Sequence, residues 1–301
     1  MNAIIQLVDL NKKAWQWFML CLLAIIWGTS FILMKRGLLS FSHTQVAALR
    51  IFISFVLLIP FLYKRLRRVK RKHIKSLIVV GFIGNGIPAF LFTRAQTEVS
   101  SSIAGVLNSL TPLFALLLGL VIFKIKFNWH NLLGVFVGLA GALSLIFYTS
   151  GFTFDVKNMY ALLIILATIM YAFNVNEVKQ KLADLDGITI AAVSFLFIGP
   201  FAGIYLLNSD FTDAINSPGL IRNFGCIFLL ALFSSVVATI MFNNLIKYTT
   251  ALFASSTAYL IPIAAIIWGM LDGETLGLFQ ISSICLIMCG VYLVNINRIS
   301  D

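Results

Sequence analysis

Two short pairs of residues carry the most pointed chemistry in this sequence. Trp27 and Ser30 stand three residues apart in one apolar run, and Tyr171 and Asn174 stand three apart in another. That spacing puts both members of a pair on one helix face. Each pair offers an aromatic plate for the apolar part of a small molecule and a short polar group for its polar end. A shift of 144 residues lays one pair on the other, so they read as opposite walls of one cavity. The alternative makes Trp27 and Tyr171 membrane-interface aromatics. Both lie about a dozen residues into their runs, near mid-bilayer, which favours the cavity. Three further neutral residues are candidate solute contacts. Asn85 lies among Gly81, Gly84 and Gly86, just before Pro88; Asn108 shares a face with Gly105, Ser109 and Pro112; Tyr259 shares one with Ser255, Ser256 and Pro262. For Asn108 the competing role is a bridge to another helix, and the glycines around Asn85 by themselves read as ordinary helix packing.

Charged candidates are few. Arg50 stands two turns into an apolar run, where it either meets an anionic solute or, as the default, snorkels outward or pairs structurally. Glu177 precedes Lys181 by one turn, in the favoured order for an intrahelical pair. It is also the best acidic candidate for proton coupling. No phosphate loop, metal-ligand cluster or nucleophile with a nearby base is present, so an enzyme, a cofactor and a bound metal are not expected. His43, His73 and His130 form no cluster, and Cys21, Cys226, Cys285 and Cys289 fall inside apolar runs without metal or disulfide spacing.

The elements that must position these residues are membrane helices. The chain is 60% hydrophobic and only 11% charged, against roughly 25% charged in soluble domains. Ten apolar segments are expected, at 15–34, 44–63, 75–93, 99–123, 130–148, 158–178, 188–207, 222–246, 251–271 and 277–296, each near the ~20 residues of a spanning helix. The first is too long for a cleavable signal and leads straight into the second. With the N-terminus inside, the inner loops and ends carry sixteen Lys and Arg and the outer ones five. Positive loops stay in the cytoplasm, so both termini are expected there. Eight of the sixteen crowd the 64–75 loop, a topology anchor first and an anionic-lipid site second. The net charge of +11 thus belongs to membrane topology, and nucleic acid is not an expected partner.

The fourth segment recurs in the ninth. At an offset of 150, Ala104, Leu110, Pro112, Ala115 and Gly119 meet Ala254, Leu260, Pro262, Ala265 and Gly269. A proline inside a helix leaves the carbonyl four residues earlier without its donor. Pro112 and Pro262 are therefore read as hinges. With five segments per half, the second half starts on the opposite side from the first, so the repeats are inverted. The expected fold is an all-α polytopic membrane protein of ten transmembrane helices in two inverted five-helix repeats, 15–148 and 158–296. They are flanked by an N-terminal stretch 1–14, a linker 149–157 and a tail 297–301. Inverted repeats with interrupted helices are the design of secondary transporters, which bind solute at the midplane between the halves.

Several short motifs occur in order: W-G-T-S-F at 27–31, L-R-I-F-I-S at 49–54, the paired prolines, and G-E at 273–274 after the ninth segment. The chain resembles the drug/metabolite transporter superfamily, EamA type, over nearly its whole length. The resemblance implies a bacterial inner-membrane protein that exports amino acids and other small metabolites by alternating access. The family often has an acidic residue after the fourth helix. Asp272 and Glu274 supply its equivalent in the second half, whereas Lys124 takes its place in the first. An exporter of drugs or quaternary amines is the alternative within the class, and a non-transporting scaffold is the alternative outside it. The first segment holds no acidic residue between Trp15 and Met34, so a proton-for-cation exchange on a carboxylate there has nothing to run on. The partners expected are a small-molecule solute and the lipid bilayer; monomer and homodimer both stay open.

Overall fold

The computed structural model describes residues 12–123, 133–134, 136–141, 143–144 and 156–295. Outside them fall most of the expected fifth segment, nearly all of the 149–157 linker, Lys124, the start of the N-terminal stretch and the tail. Every described element is helical. The long helices are α1 (Lys13–Gly37), α2 (His43–Leu66), α3 (Arg71–Ala95), α4 (Ser101–Val121), α5 (Val156–Lys181), α6 (Gly187–Leu207), α7 (Leu220–Tyr248), α8 (Phe253–Leu271) and α9 (Leu278–Asn295). Eight of them, α1 to α8, are long and apolar enough to cross a membrane; in α9 the apolar stretch is the shorter Leu278–Gly290. Large apolar side chains such as Ile25, Phe201, Leu207 and Leu278 point outward, as a surface solvated by lipid requires.

Local sequence sets the helix starts. Ser42 and Gln45 form a reciprocal capping box at α2, the Ser100 hydroxyl accepts from the Ile103 amide at α4, and Asp186 accepts from the Thr189 amide at α6. Small residues then let the helices close. α2 and α6 pack along each other where Phe55 fits onto Gly199 and Phe52 onto Gly203. Residues 55 and 199 are counterparts at the offset of 144. α1 lies on α8, with Gly28 against Ala264 and the Ile261 carbonyl, and α5 lies on α3 and α4. α4 and α8 cross where Gly105 meets Ala265.

Two helices widen at matching places. α3 carries a π turn at Val80–Gly86, and α7 carries one at Leu230–Val237, 150 residues on. A π turn loosens the backbone ladder, so side chains take up the released carbonyls. The Asn85 amide donates to the Val80 carbonyl at 3.0 Å, Ser54 donates to Ala231 at 3.3 Å, and the Trp27 indole N–H donates to Ser234 at 3.1 Å. The glycine-rich run around Asn85 is thus a widened turn.

The fourth and ninth expected segments are interrupted, but not in the same way. α4 breaks at Ser109–Leu110, the helix resumes at Thr111 just before Pro112, and the Thr111 hydroxyl donates at 2.7 Å to the Asn108 carbonyl that the proline leaves bare. α8 breaks at Ser256 and then runs unbroken through Pro262. There the Ser256 and Thr257 hydroxyls donate to the Phe253 and Ala254 carbonyls, competing with the helical ladder in that turn. The interruption in the second half lies six residues before the proline, at a serine–threonine pair, and hydroxyl bonds of the same kind, from Ser109 to Val106 and from Thr111 to Asn108, accompany the break in α4.

Ion pairs close the ends. Lys35 meets Asp272 at 2.6 Å and Glu274 at 3.0 Å, and Arg36 also pairs with Asp272. Glu274 accepts from the Ser101 and Ser102 amides and the Ser102 hydroxyl, which makes it an anionic cap on α4. The hydrogen bond from Lys35 holds the Asp272 carboxyl below the usual carboxylate range. Burial pushes Glu274 upward, but its bonds to Ser102 and Lys35 win and hold it low. Lys179, the counterpart of Lys35 at offset 144, instead donates to the Ile246, Lys247 and Thr249 carbonyls. Part of the basic 64–75 loop is paired: Arg65 and Arg68 with Asp186, Lys72 and His73 with Asp184.

Candidate functional site

The helices α1 to α8 surround a cavity, and the candidate residues arrive in it from separate elements. α1 contributes Trp27 and Ser30, α3 contributes Asn85, α4 contributes Asn108, and α5 contributes Tyr171 and Asn174. Six of the seven solute-contact candidates read from the sequence therefore line one space. Tyr259 does not; its ring packs at the edge of the core that holds Phe31, Leu107 and Ile261. Pro112 and Pro262 are not lining residues, but their neighbours Thr111 and Ile261 are. Glu177 stands outside the lining, buried between the Ser76 hydroxyl at 2.8 Å and Lys181 at 2.9 Å.

The lining follows the internal repeat. Under the offsets of 144 and 150 it exchanges Trp27 with Tyr171, Ser30 with Asn174, Phe31 with Val175, Ile51 with Phe195, Gly84 with Ser234, Asn85 with Ser235, Phe92 with Phe242, Asn108 with Ala258 and Thr111 with Ile261. These nine pairs supply eighteen of the twenty-five lining residues, so the two halves of the sequence contribute equivalent positions to one space.

Each wall carries an aromatic pair built from equivalent positions. Trp27 meets Phe242 edge-on with ring centroids 4.8 Å apart, and Tyr171 stacks on Phe92 at 5.8 Å. The indole N–H bond to Ser234 fixes the Trp27 ring against α7. Gly84 lets the Asn174 amide seat against the α3 backbone, where no side chain fits. Phe92 and Phe242 escaped the sequence reading because phenylalanine is the default filler of membrane helices. Their register at offset 150 is the signal that could have found them.

The polar groups of the cavity are only partly used. Ser30 donates to the Trp27 carbonyl of its own helix. Asn108 Oδ1, Asn174 Oδ1 and Asn243 Nδ2 are buried without a hydrogen-bond partner. An unpaired buried polar atom costs about 1–3 kcal/mol, and three of the seven such side-chain atoms among the described residues belong to residues that line this space. Asn243 had no sequence signal beyond its polarity. Among the described lining residues there is one formal charge, Arg50, and no carboxylate. Arg50 points into the cavity and bonds Ser235 rather than snorkelling outward. No group of three or more His, Cys, Asp or Glu residues suited to a metal occurs among the described residues.

The model of the EamA-like transporter family matches residues 14–147 and again 158–296. The chain belongs to the EamA-like transporter family. An uncharacterized inner membrane transporter of Escherichia coli K12, YedA, is 27% identical over 285 residues, spanning 92% of this chain and 89% of the relative. An uncharacterized transporter of Archaeoglobus fulgidus is 23% identical, over 93% and 98% of the two chains. The S-adenosylmethionine/S-adenosylhomocysteine transporter of Chlamydia muridarum is 24% identical, over 91% and 90%. One solved crystal structure superposes with a TM-score of 0.69 at 14% identity, covering 96% of this chain and all of the other, which is a likeness of fold. This EamA-like protein is a polytopic membrane transporter and not an enzyme.

Proposed function

We propose that this EamA-like protein exports small metabolites such as amino acids across a bacterial inner membrane by alternating access between two inverted five-helix halves. The observation that carries the reading is the cavity whose lining positions exchange in nine pairs under the repeat. A site that both halves build equally can open to either side when one half rocks against the other. The breaks in α4 and α8 flank that site and provide the hinges, with Pro112 holding the first open. Helices that cross through Gly105 and Ala265, and the meeting of Phe55 with its own counterpart Gly199, support a pseudo-two-fold axis through the cavity. The inner-membrane placement rests on the E. coli relative, and small organic metabolites as a class are supported by the chlamydial one.

The test of function compares metabolites excreted by cells with and without the protein, followed by uptake of the enriched compounds into inside-out vesicles. An unchanged excreted pool with no vesicle uptake leaves the scaffold reading in its place. The orientation is tested by single cysteines in a background without the native four. Thr97 in the α3–α4 link is exposed, and a cysteine there is expected to react with an impermeant reagent from outside; one at the exposed Arg68 is expected not to. The reverse pattern removes the proposed topology. Ser76 is unsuited to this test because it is buried against Glu177. Pro112→Ala is expected to let the helical bond to Asn108 re-form and stiffen α4. Transport should fall several-fold at normal membrane levels; equal loss of protein and transport would make the proline structural only.

A further inference from the structure

We propose that Arg50 is the solute anchor of this cavity and that the transported class carries a carboxylate, with permanent organic cations excluded. The inference rests on the cavity being the transport site and deepens that reading by naming the chemistry it selects.

Arg50 is the one lining residue with a formal charge. Its Nε donates to Ser235 Oγ, on the π turn of α7, at 2.7 Å. That bond fixes the plane of the guanidinium. Among the described residues no hydrogen bond is made by its two terminal nitrogens, and no carboxylate pairs with it. Three described cations near helix ends, Lys35, Arg36 and Arg65, have an acidic partner, and Lys179 spreads its donors over three backbone carbonyls. A cation held among apolar and neutral groups at membrane depth is costly and is retained for a reason. A planar fork of free N–H groups matches a carboxylate in a bidentate pair, which compensates the charge and satisfies the donors together.

The rest of the lining fits the remainder of such a solute. Asn108 and Asn174 present unpartnered amide oxygens that can accept N–H groups. The rings of Trp27, Phe92, Tyr171 and Phe242 flank an apolar body or an ammonium. Arg50 also breaks the symmetry. Its counterpart at offset 144 is Ser194, which is not a lining residue, so only one wall offers the anchor and the solute has one preferred orientation. A quaternary amine would face an unpaired guanidinium with no acidic group to offset it.

The test uses the purified full-length protein in detergent, with thermal unfolding as the readout. The probes are L-amino acids and simple carboxylates such as 3-phenylpropionate, each matched with its carboxamide, and tetraethylammonium. Acids of the preferred size are expected to raise the unfolding temperature, and their carboxamides to need about 10- to 100-fold higher concentration. This comparison needs no variant and so survives a failure of Arg50 variants to fold. Arg50→Gln is expected to remove the acid-over-amide preference, and Arg50→Lys to keep a weaker one. Amino acids and simple carboxylates in separate arms show whether the ammonium adds affinity. Equal response to acid and amide, stronger response to tetraethylammonium, retained preference in Arg50→Gln, or no response to any acid overturns the proposal. If Asn174→Ala loses binding while Arg50→Gln keeps the acid preference, the cavity stands and the anchor falls. If neither variant changes binding, the cavity is not the site.

Discussion

Asn174→Ala is expected to lower transport of the identified solute by about tenfold or more while leaving the folded protein as stable as before, or slightly more so. The sign of the stability change follows from the structure. Asn174 Oδ1 is buried beside the cavity without a partner, so the alanine removes an unsatisfied group rather than a made bond. A ligand that supplied a donor loses it in the variant, at about 1–1.5 kcal/mol, or roughly tenfold in affinity. Tyr171→Ala is expected to lower transport at least as much, because it strips the ring that stacks on Phe92 from one wall. This variant should also lower thermal stability, since an aromatic pair is worth about 0.5–1.5 kcal/mol beyond its buried area. Transport in vesicles at matched protein level, with unfolding followed in detergent, separates the two. Wild-type rates in both variants would mean that the aromatic–amide pair does not contact the solute.

Gly28→Leu is expected to leave little folded protein. A Cβ at residue 28 runs into Ala264 Cβ and comes within 2.9 Å of the Ile261 carbonyl oxygen, so α1 must move off α8. Overpacking of this kind costs about 1–3 kcal/mol for a small addition and more for a large one, and backbone on the far side yields little. Gly28→Ala should therefore lose about 1–3 kcal/mol. The displaced helix carries Trp27, so any folded variant should also transport poorly. Gly225→Ala is the control: nothing lies within 4 Å of a Cβ there, and it should be neutral or stabilising by up to about 1 kcal/mol. Monodisperse yield and unfolding temperature in detergent measure all three. Equal behaviour of Gly28→Ala and Gly225→Ala would show that the α1–α8 contact is looser than described.

The class of the molecule was legible in the sequence because a bilayer leaves few options. Long uncharged runs must be helices, and the Lys and Arg between them mark the expected sides. The repeat was legible too, since Pro112 and Pro262, and the Trp27–Ser30 and Tyr171–Asn174 pairs, recur at fixed offsets. That register pointed to four residues that do meet in one cavity, because equivalent positions related by symmetry converge on the same space; Asn85 and Asn108, read from their local surroundings, line it too. Tertiary structure decided what local pattern does not encode. Its spacing assigns Tyr259 to the face of Ser255, yet it packs against the apolar core while Ser255 lines the cavity. Arg50 was expected to snorkel outward or to pair structurally; the approach of α7 gives it Ser235 as a partner, and it lines the cavity. The break in α8 was expected at its proline and lies instead at Ser256, six residues earlier. For Arg50 the deciding partner lies on another helix. Spacing along one helix specifies a face, and only the packing of the neighbouring helices specifies what that face meets.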